Sequence, residues 1–405
     1  MTESHTPAAA GSVATPPGAG SLSAALGGLL ALAVGIGIGR FVYTPILPPM
    51  MAGLGLSKFT AGLIASANFA GYLAGALFAA GPWLPGSRRG WLLGGLVGSA
   101  ASTGAMGIAH GLAAFLALRF AGGVASALVL ILVSAVVLEL LAAAGRSDLF
   151  AVLYAGVGVG IAASALLVSG LRADGQGWPA LWWGSGALSL AGAGVVWWLI
   201  PAPGPAPGSG TAQARPAAPG GGAGAGAAAS GGRLARLVLA YGLFGFGYIV
   251  TATFLVAMVR ADPALRRLEP VVWVVFGLAA APSVALWSRL ARRLGIPRAF
   301  AAAALTEALG VLASVAWPST AGVMLAAVLV GGTFMGLTAL GLVRGRELAR
   351  GEARRVLALM TSAFGLGQIV GPSFAGALSE RFGSFTVPSV VAAAALVAAA
   401  VLAAL

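Results

Sequence analysis

The chain has 405 residues, of which 59% are apolar and only 8% charged, with 23 Lys/Arg against 10 Asp/Glu. A soluble domain needs several times that charge to cover its surface, and the mean hydropathy of +0.97 excludes one. There is no cysteine, so disulfide and thiol chemistry do not arise.

Residues 1–21 carry no basic n-region and no cleavage site, and read as a disordered cytoplasmic tail rather than a signal peptide. Apolar runs of about 20 residues follow, the length that crosses a ~30 Å hydrocarbon core. The first six are predicted at Leu22–Pro48, Ser57–Phe78, Gly90–Ala109, Leu112–Leu140, Asp148–Leu171 and Ala180–Ile200. Residues 201–232 are too rich in Gly, Ala and Pro to form a core and read as a flexible cytoplasmic linker. Six more runs are predicted at Leu234–Val259, Pro270–Leu290, Pro297–Trp317, Ala321–Val343, Arg355–Leu378 and Phe385–Leu405. Backbone amides in lipid must be bonded within their own segment, and no period-2 alternation suggests a barrel. The expected fold is an all-α membrane protein of twelve transmembrane helices in two pseudo-symmetric six-helix bundles, 22–200 and 233–405.

Placing the N-terminus inside puts fifteen of the 23 Lys/Arg in inner loops and six in outer loops, leaving Arg40 and Arg119 within spans. By the positive-inside rule both termini and the linker are cytoplasmic. This bias accounts for the net charge of +13, and no basic, aromatic-interleaved soluble domain points to nucleic acid. Trp178, Trp182 and Trp183 at one end of the sixth run, with Trp197 and Trp198 at the other, form paired interfacial belts.

The halves repeat one another. Glu139 and Arg146 recur as Glu347 and Arg354 at an offset of 208, and Arg88-Arg89 recur as Arg292-Arg293 at 204. Gly156 and Gly160 recur as Gly367 and Gly371 at 211. Three elements in one order at nearly one offset indicate a duplicated six-helix unit. Arg119-Phe120-Ala121-Gly122-Gly123, the basic loop pairs without their usual Asp, and Gly367-x-x-x-Gly371-Pro372 resemble motifs of the major facilitator superfamily. In the fifth run Ile161 stands where the Gly/Pro motif has Pro. Gly37-Ile38-Gly39-Arg40-Phe41-Val42-Tyr43-Thr44-Pro45, with Ala67-Asn68-Phe69-Ala70-Gly71-Tyr72, resembles the YbfB/YjiJ-type branch of that superfamily. The resemblance covers essentially the whole chain. It implies a monomeric secondary transporter of a bacterial inner membrane, working on a small-molecule substrate by alternating access, with no cofactor and with protons as a candidate coupling ion.

Two arginines lie at similar depth within spans, and an intramembrane charge needs a wet cavity or a partner. Arg40 and Arg119 therefore form a candidate pair for an anionic group, or else bond backbone carbonyls where glycines interrupt the helices. Asn68 and Tyr72, one turn apart, line the same cavity or tie helices together. The resemblance places Tyr248 and Gln368 on the opposite wall. Glu307, the one mid-span carboxylate, suits a proton carrier, although a bond to a neighbouring helix is the favoured account. Glu139 and Glu347, beside the Arg88/Arg89 and Arg292/Arg293 loops with Arg146 and Arg354, are expected to latch the inner gate. His5 and His110 have no acid partner at metal-ligand spacing, Gly156-x-Gly158-x-Gly160 follows no strand, and no Walker sequence or hydrolase constellation occurs. The expected function is secondary transport of a small organic anion and not enzymatic catalysis. The alternatives are a multidrug-type efflux carrier for lipophilic or cationic compounds and a non-transporting solute sensor.

Overall fold

A computed structural model describes residues 19–81, 84–146, 149–200, 225–349 and 353–405. The expected tail, up to residue 18, and the expected linker, over 201–224, lie outside them. Helices occupy almost all of the described residues, and no strand occurs among them. In chain order they are α1 (Ala19–Leu32), α2 (Tyr43–Leu54), α3 (Lys58–Ala80), α4 (Arg88–Ala105), α5 (Gly111–Ala143), α6 (Phe150–Ala173) and α7 (Trp178–Leu199). These are followed by α8 (Ala225–Ala261), α9 (Glu269–Ala280), α10 (Ser283–Leu294), α11 (Ile296–Ala316), α12 (Thr320–Leu348), α13 (Ala353–Phe382) and α14 (Thr386–Ala404).

Nine spans among the described residues are long and apolar enough to cross a bilayer, and ten if α9 and α10 count as one bent span. α4 and α7 fall outside that set; their Gly, Ser and Trp content lowers mean hydropathy without removing the helix. Two expected runs are broken. The first contains a π-helical turn, Ala33–Ile38, between α1 and α2. The eighth bends by 42° between α9 and α10, at Ala281-Pro282, where the proline ring cannot continue the ladder. α8 begins at Ala225, inside the stretch expected to be linker; the span behind it supplies the helix nucleus, and propagation from a formed helix costs far less than starting one.

Side-chain caps set several starts. Ser57, Ser87 and Ser319 accept from the backbone N–H groups of Thr60, Gly90 and Gly322. Large apolar side chains such as Leu166, Leu309 and Leu278 are more than half exposed, as a lipid-facing surface requires.

The first half (α1–α7) meets the second (α8–α14) along two seams, α3 against α13 and α6 against α9. Gly62 packs on the backbone of Pro372 and Gly158 on that of Gly277 and Ala281, so close that a Cβ would collide with main chain. Gly156 and Gly160, on the other side of α6, pack on Leu29 and Ala33. The ends of α12 and α14 and the starts of α8 and α11 share one face, here the terminal face. The start of α3 and the end of α13 share the opposite, distal face.

Candidate functional site

The site grows from the break in the first span. In the π-turn, Gly39 N–H donates to Val34 O and Arg40 N–H to Ile36 O, which leaves Gly35 O without its usual ladder donor. α5 supplies the missing donors. Ser126 Oγ donates to Gly35 O at 2.7 Å, and Arg119 donates from Nη1 to Gly39 O at 3.2 Å and from Nη2 to Arg40 O at 3.1 Å. The Arg119 guanidinium also lies over the Tyr43 ring, 5.0 Å from its centroid. Asn68 Nδ2 donates to Arg119 O at 2.9 Å and so ties α3 to α5. Both ends of Arg119 thus hold the break in shape, as the backbone-bonding alternative expects.

Arg40 is held differently. Its side chain leaves the break toward the second half and is 7% exposed. The guanidinium lies 4.2 Å from the Tyr72 centroid, 4.9 Å from Phe69 and 5.7 Å from Phe41. Nη2 donates across the seam to Gln368 Oε1 at 3.4 Å, a long contact, and Nε has no partner. Gln368 Nε2 in turn donates to the Tyr248 hydroxyl. The Tyr248 ring stacks nearly parallel on Phe334 (5.5 Å, 10°) and on Phe364 (6.0 Å, 5°). No carboxylate forms an ion pair with Arg40 among the described residues.

The structure therefore brings Arg40, Tyr72, Tyr248 and Gln368 into one cluster, and sets Arg119 and Asn68 behind it. Phe69, Phe334 and Phe364 belong to the cluster too. Sequence reasoning missed them because an apolar residue in an apolar span carries no distinguishing mark. Glu307 is fully buried; Oε1 accepts from Thr333 Oγ1 at 3.1 Å, joining α11 to α12, and Oε2 has no partner.

The expected gate residues lie on the terminal face, where Arg88, Arg89, Glu139, Arg292 and Glu347 bond within their own half. Arg88 pairs with Glu139 at 2.6 Å, both side chains being more than half exposed. Arg89 donates from Nε to Ile200 O and from Nη2 to Trp197 O, each at 2.7 Å, and so caps the end of α7. Glu347 pairs with Arg344 at 2.8 Å on its own helix rather than with the Arg292/Arg293 loop, because one helical turn already brings that arginine into reach. Arg292 bonds Ser288 O of its own helix; Arg293 and Arg354 are exposed, and Arg146 follows the end of α5.

Cross-half hydrogen bonds gather toward the distal face. Phe59 N–H donates to Glu380 Oε1 at 2.7 Å, Thr44 Oγ1 to Ala252 O at 2.8 Å, and Ser169 Oγ to Pro270 O at 3.3 Å. Glu380 thus places a carboxylate on the N-terminus of α3 from the other half of the molecule. In sequence it was one more charge at a span end.

A family profile described as "Uncharacterised MFS-type transporter YbfB" matches residues 32–404. No curated protein is a significant sequence match. Among solved structures, a point variant of the nucleoside transporter NupG superposes with a TM-score of 0.71 at 16% identity, covering 95% of this chain and 98% of that one. A bacterial homologue of the human lysosomal transporter Spinster, inward-facing and unoccupied, superposes with a TM-score of 0.61 at 17% identity, covering 95% of each chain. At these identities the likeness shows the shared fold.

Proposed function

The chain belongs to the YbfB-type family of major facilitator superfamily transporters, and from that premise we propose that it carries a small organic anion by alternating access, with Arg40 as the contact for the anionic group. The observation that carries this reading is the contrast within one buried pair. Among the described residues neither guanidinium meets a carboxylate and each has an unpartnered Nε, but Arg119 bonds the backbone of the broken span through both terminal nitrogens, whereas Arg40 sits between the halves with one long amide contact. A desolvated charge in that condition is worth keeping only if something else compensates it, and a guanidinium fork matches a carboxylate or phosphate.

In this reading α1 with α2, and α9 with α10, each make one bent span. With α4 and α7 counted as well, the chain has twelve spans in two six-helix bundles, 22–200 and from 233 onward. Both termini face the cytoplasm of a bacterial cell, in the inner membrane, and the distal face is outside. Glu380 and Thr44 tie the halves together toward that face, while the ion pairs at the terminal face stay within one half and leave the terminal side freer to part. Rocking of the halves about the glycine-lined seams exposes the Arg40 cluster to each side in turn. Glu307, bonded to Thr333, is assigned to holding α11 on α12 rather than to carrying protons. The protein works as a monomer.

Thermal unfolding of the detergent-purified protein against anionic, neutral and cationic solutes tests the assignment. An anion at 100 times its Kd should stabilise the parent by about 2.7 kcal/mol, and Arg40→Gln should lose about half of that response or more. Stabilisation of both proteins alike by cations, lipophilic compounds or a nucleoside would remove Arg40 from the site.

A further inference from the structure

We propose that the anion is a flat aromatic monocarboxylate, in the class of benzoate. This rests on the reading of Arg40 as the anion contact and adds charge number and shape to it.

Charge number follows from the buried ionic groups. Among the described residues the buried charged side chains are Arg40, Arg119 and Glu307. Arg119 turns both terminal nitrogens to carbonyls of its own half and Glu307 bonds Thr333 between α11 and α12, so Arg40 is the one buried guanidinium that reaches across the seam. One carboxylate neutralises it. A second would be stripped of water with no further cation reaching into the seam, since the terminal nitrogens of Arg119 are held by the carbonyls of Gly39 and Arg40, and that is a heavy penalty in a buried site.

Shape follows from what surrounds the charge. Donors and rings lie side by side here. Arg40 has an unpartnered Nε, and the Tyr248 hydroxyl accepts from Gln368 and so keeps its own proton to donate. Directly behind these donors, Tyr248 is one layer of a near-parallel stack with Phe334 and Phe364, continued by Phe244 at 5.3 Å from Tyr248. On the first half, Tyr72 and Phe69 present their faces to the guanidinium. When the halves part, the carboxylate end meets Arg40 and Tyr248, and the body of the solute meets ring faces from both sides. Flat rings gain from such faces beyond the area they bury, whereas saturated rings of the same size gain only the area.

The test is direct binding to the full-length protein in detergent, by calorimetry. The panel is benzoate, cyclohexanecarboxylate (same charge, not flat), benzyl alcohol (flat, neutral), terephthalate (flat, two charges) and uridine. The expected order is benzoate first, cyclohexanecarboxylate about 3- to 10-fold weaker, and terephthalate weaker still. Phe364→Leu should narrow the gap between benzoate and cyclohexanecarboxylate by weakening benzoate the more. Equal affinity for those two acids overturns the aromatic class but leaves the anion reading standing. Benzyl alcohol or uridine binding as tightly as benzoate, with no loss in Arg40→Gln, overturns both. Failure of both benzoate and terephthalate to bind, where an aliphatic anion does, overturns the aromatic proposal alone.

Discussion

Arg40 and Arg119 are buried to almost the same extent, 7% and 4% exposed, and meet at a single peptide, since Arg119 donates to the carbonyl of Arg40 itself. Yet their surroundings differ. Arg119 reaches back into its own half and replaces ladder hydrogen bonds at a π-turn, whereas Arg40 reaches forward into the seam and finds rings and an amide. Depth in the membrane therefore does not decide what a buried charge does. What differs between the two is where their terminal nitrogens go, those of Arg119 to the carbonyls of the break and that of Arg40 across the seam.

Mutations that treat the two arginines differently are the way to break this comparison. The largest effect belongs to Arg119→Ala, which leaves the carbonyls of Gly39 and Arg40 without their donors. It should lower stability by about 2–5 kcal/mol, seen as poor accumulation or a large drop in melting temperature. Arg40→Gln should keep the parent's melting temperature and weaken anion binding by roughly 10- to 100-fold, the value of one charge-assisted hydrogen bond. If Arg40→Gln unfolds the protein and Arg119→Ala does not, the roles are reversed. Ser126→Ala removes the donor to Gly35 O and should cost about 0.5–1.5 kcal/mol without changing the relative affinities of solutes. A change in selectivity there would mean that the break is itself part of the binding surface.

The smallest effect concerns the gate. Glu380→Gln removes the charge at the start of α3 but keeps an acceptor for Phe59 N–H. It should shift the balance toward a state open at the distal face by about two- to fivefold. The chain has no cysteine of its own, so single cysteines placed along α3 and α13 report that opening directly. Unchanged labelling would leave closure to the glycine-lined packing alone.

Much of the helical layout was legible because span length and apolarity are one-dimensional properties. The run predicted at 57–78 is α3, Lys58–Ala80, and the run predicted at 321–343 lies within α12, Thr320–Leu348. The interruptions were only hinted at. Gly35, Gly37 and Gly39 allow a π-turn without demanding one, and Ala281-Pro282 marks a bend whose angle depends on the packing of Gly158 against it. Composition also placed the start of α8 later than Ala225, since it does not show how far a span's helix propagates beyond the apolar run. The division of labour between Arg40 and Arg119 was not legible, since it depends on which carbonyls the π-turn releases and which helix faces them. Asn68 and Tyr72 show the same limit. They share a helix face, but one meets Arg119 O on α5 and the other meets the Arg40 guanidinium.

Net uptake of labelled benzoate into proteoliposomes containing the parent or Arg40→Gln tests the central claim most directly. The account predicts uptake by the parent that saturates with concentration, and that is inhibited by other aromatic monocarboxylates and not by uridine. Arg40→Gln, folded and inserted to the same level, should show no saturation over the concentration range that saturates the parent. Equal saturable uptake by the two proteins would contradict the claim that Arg40 binds the cargo.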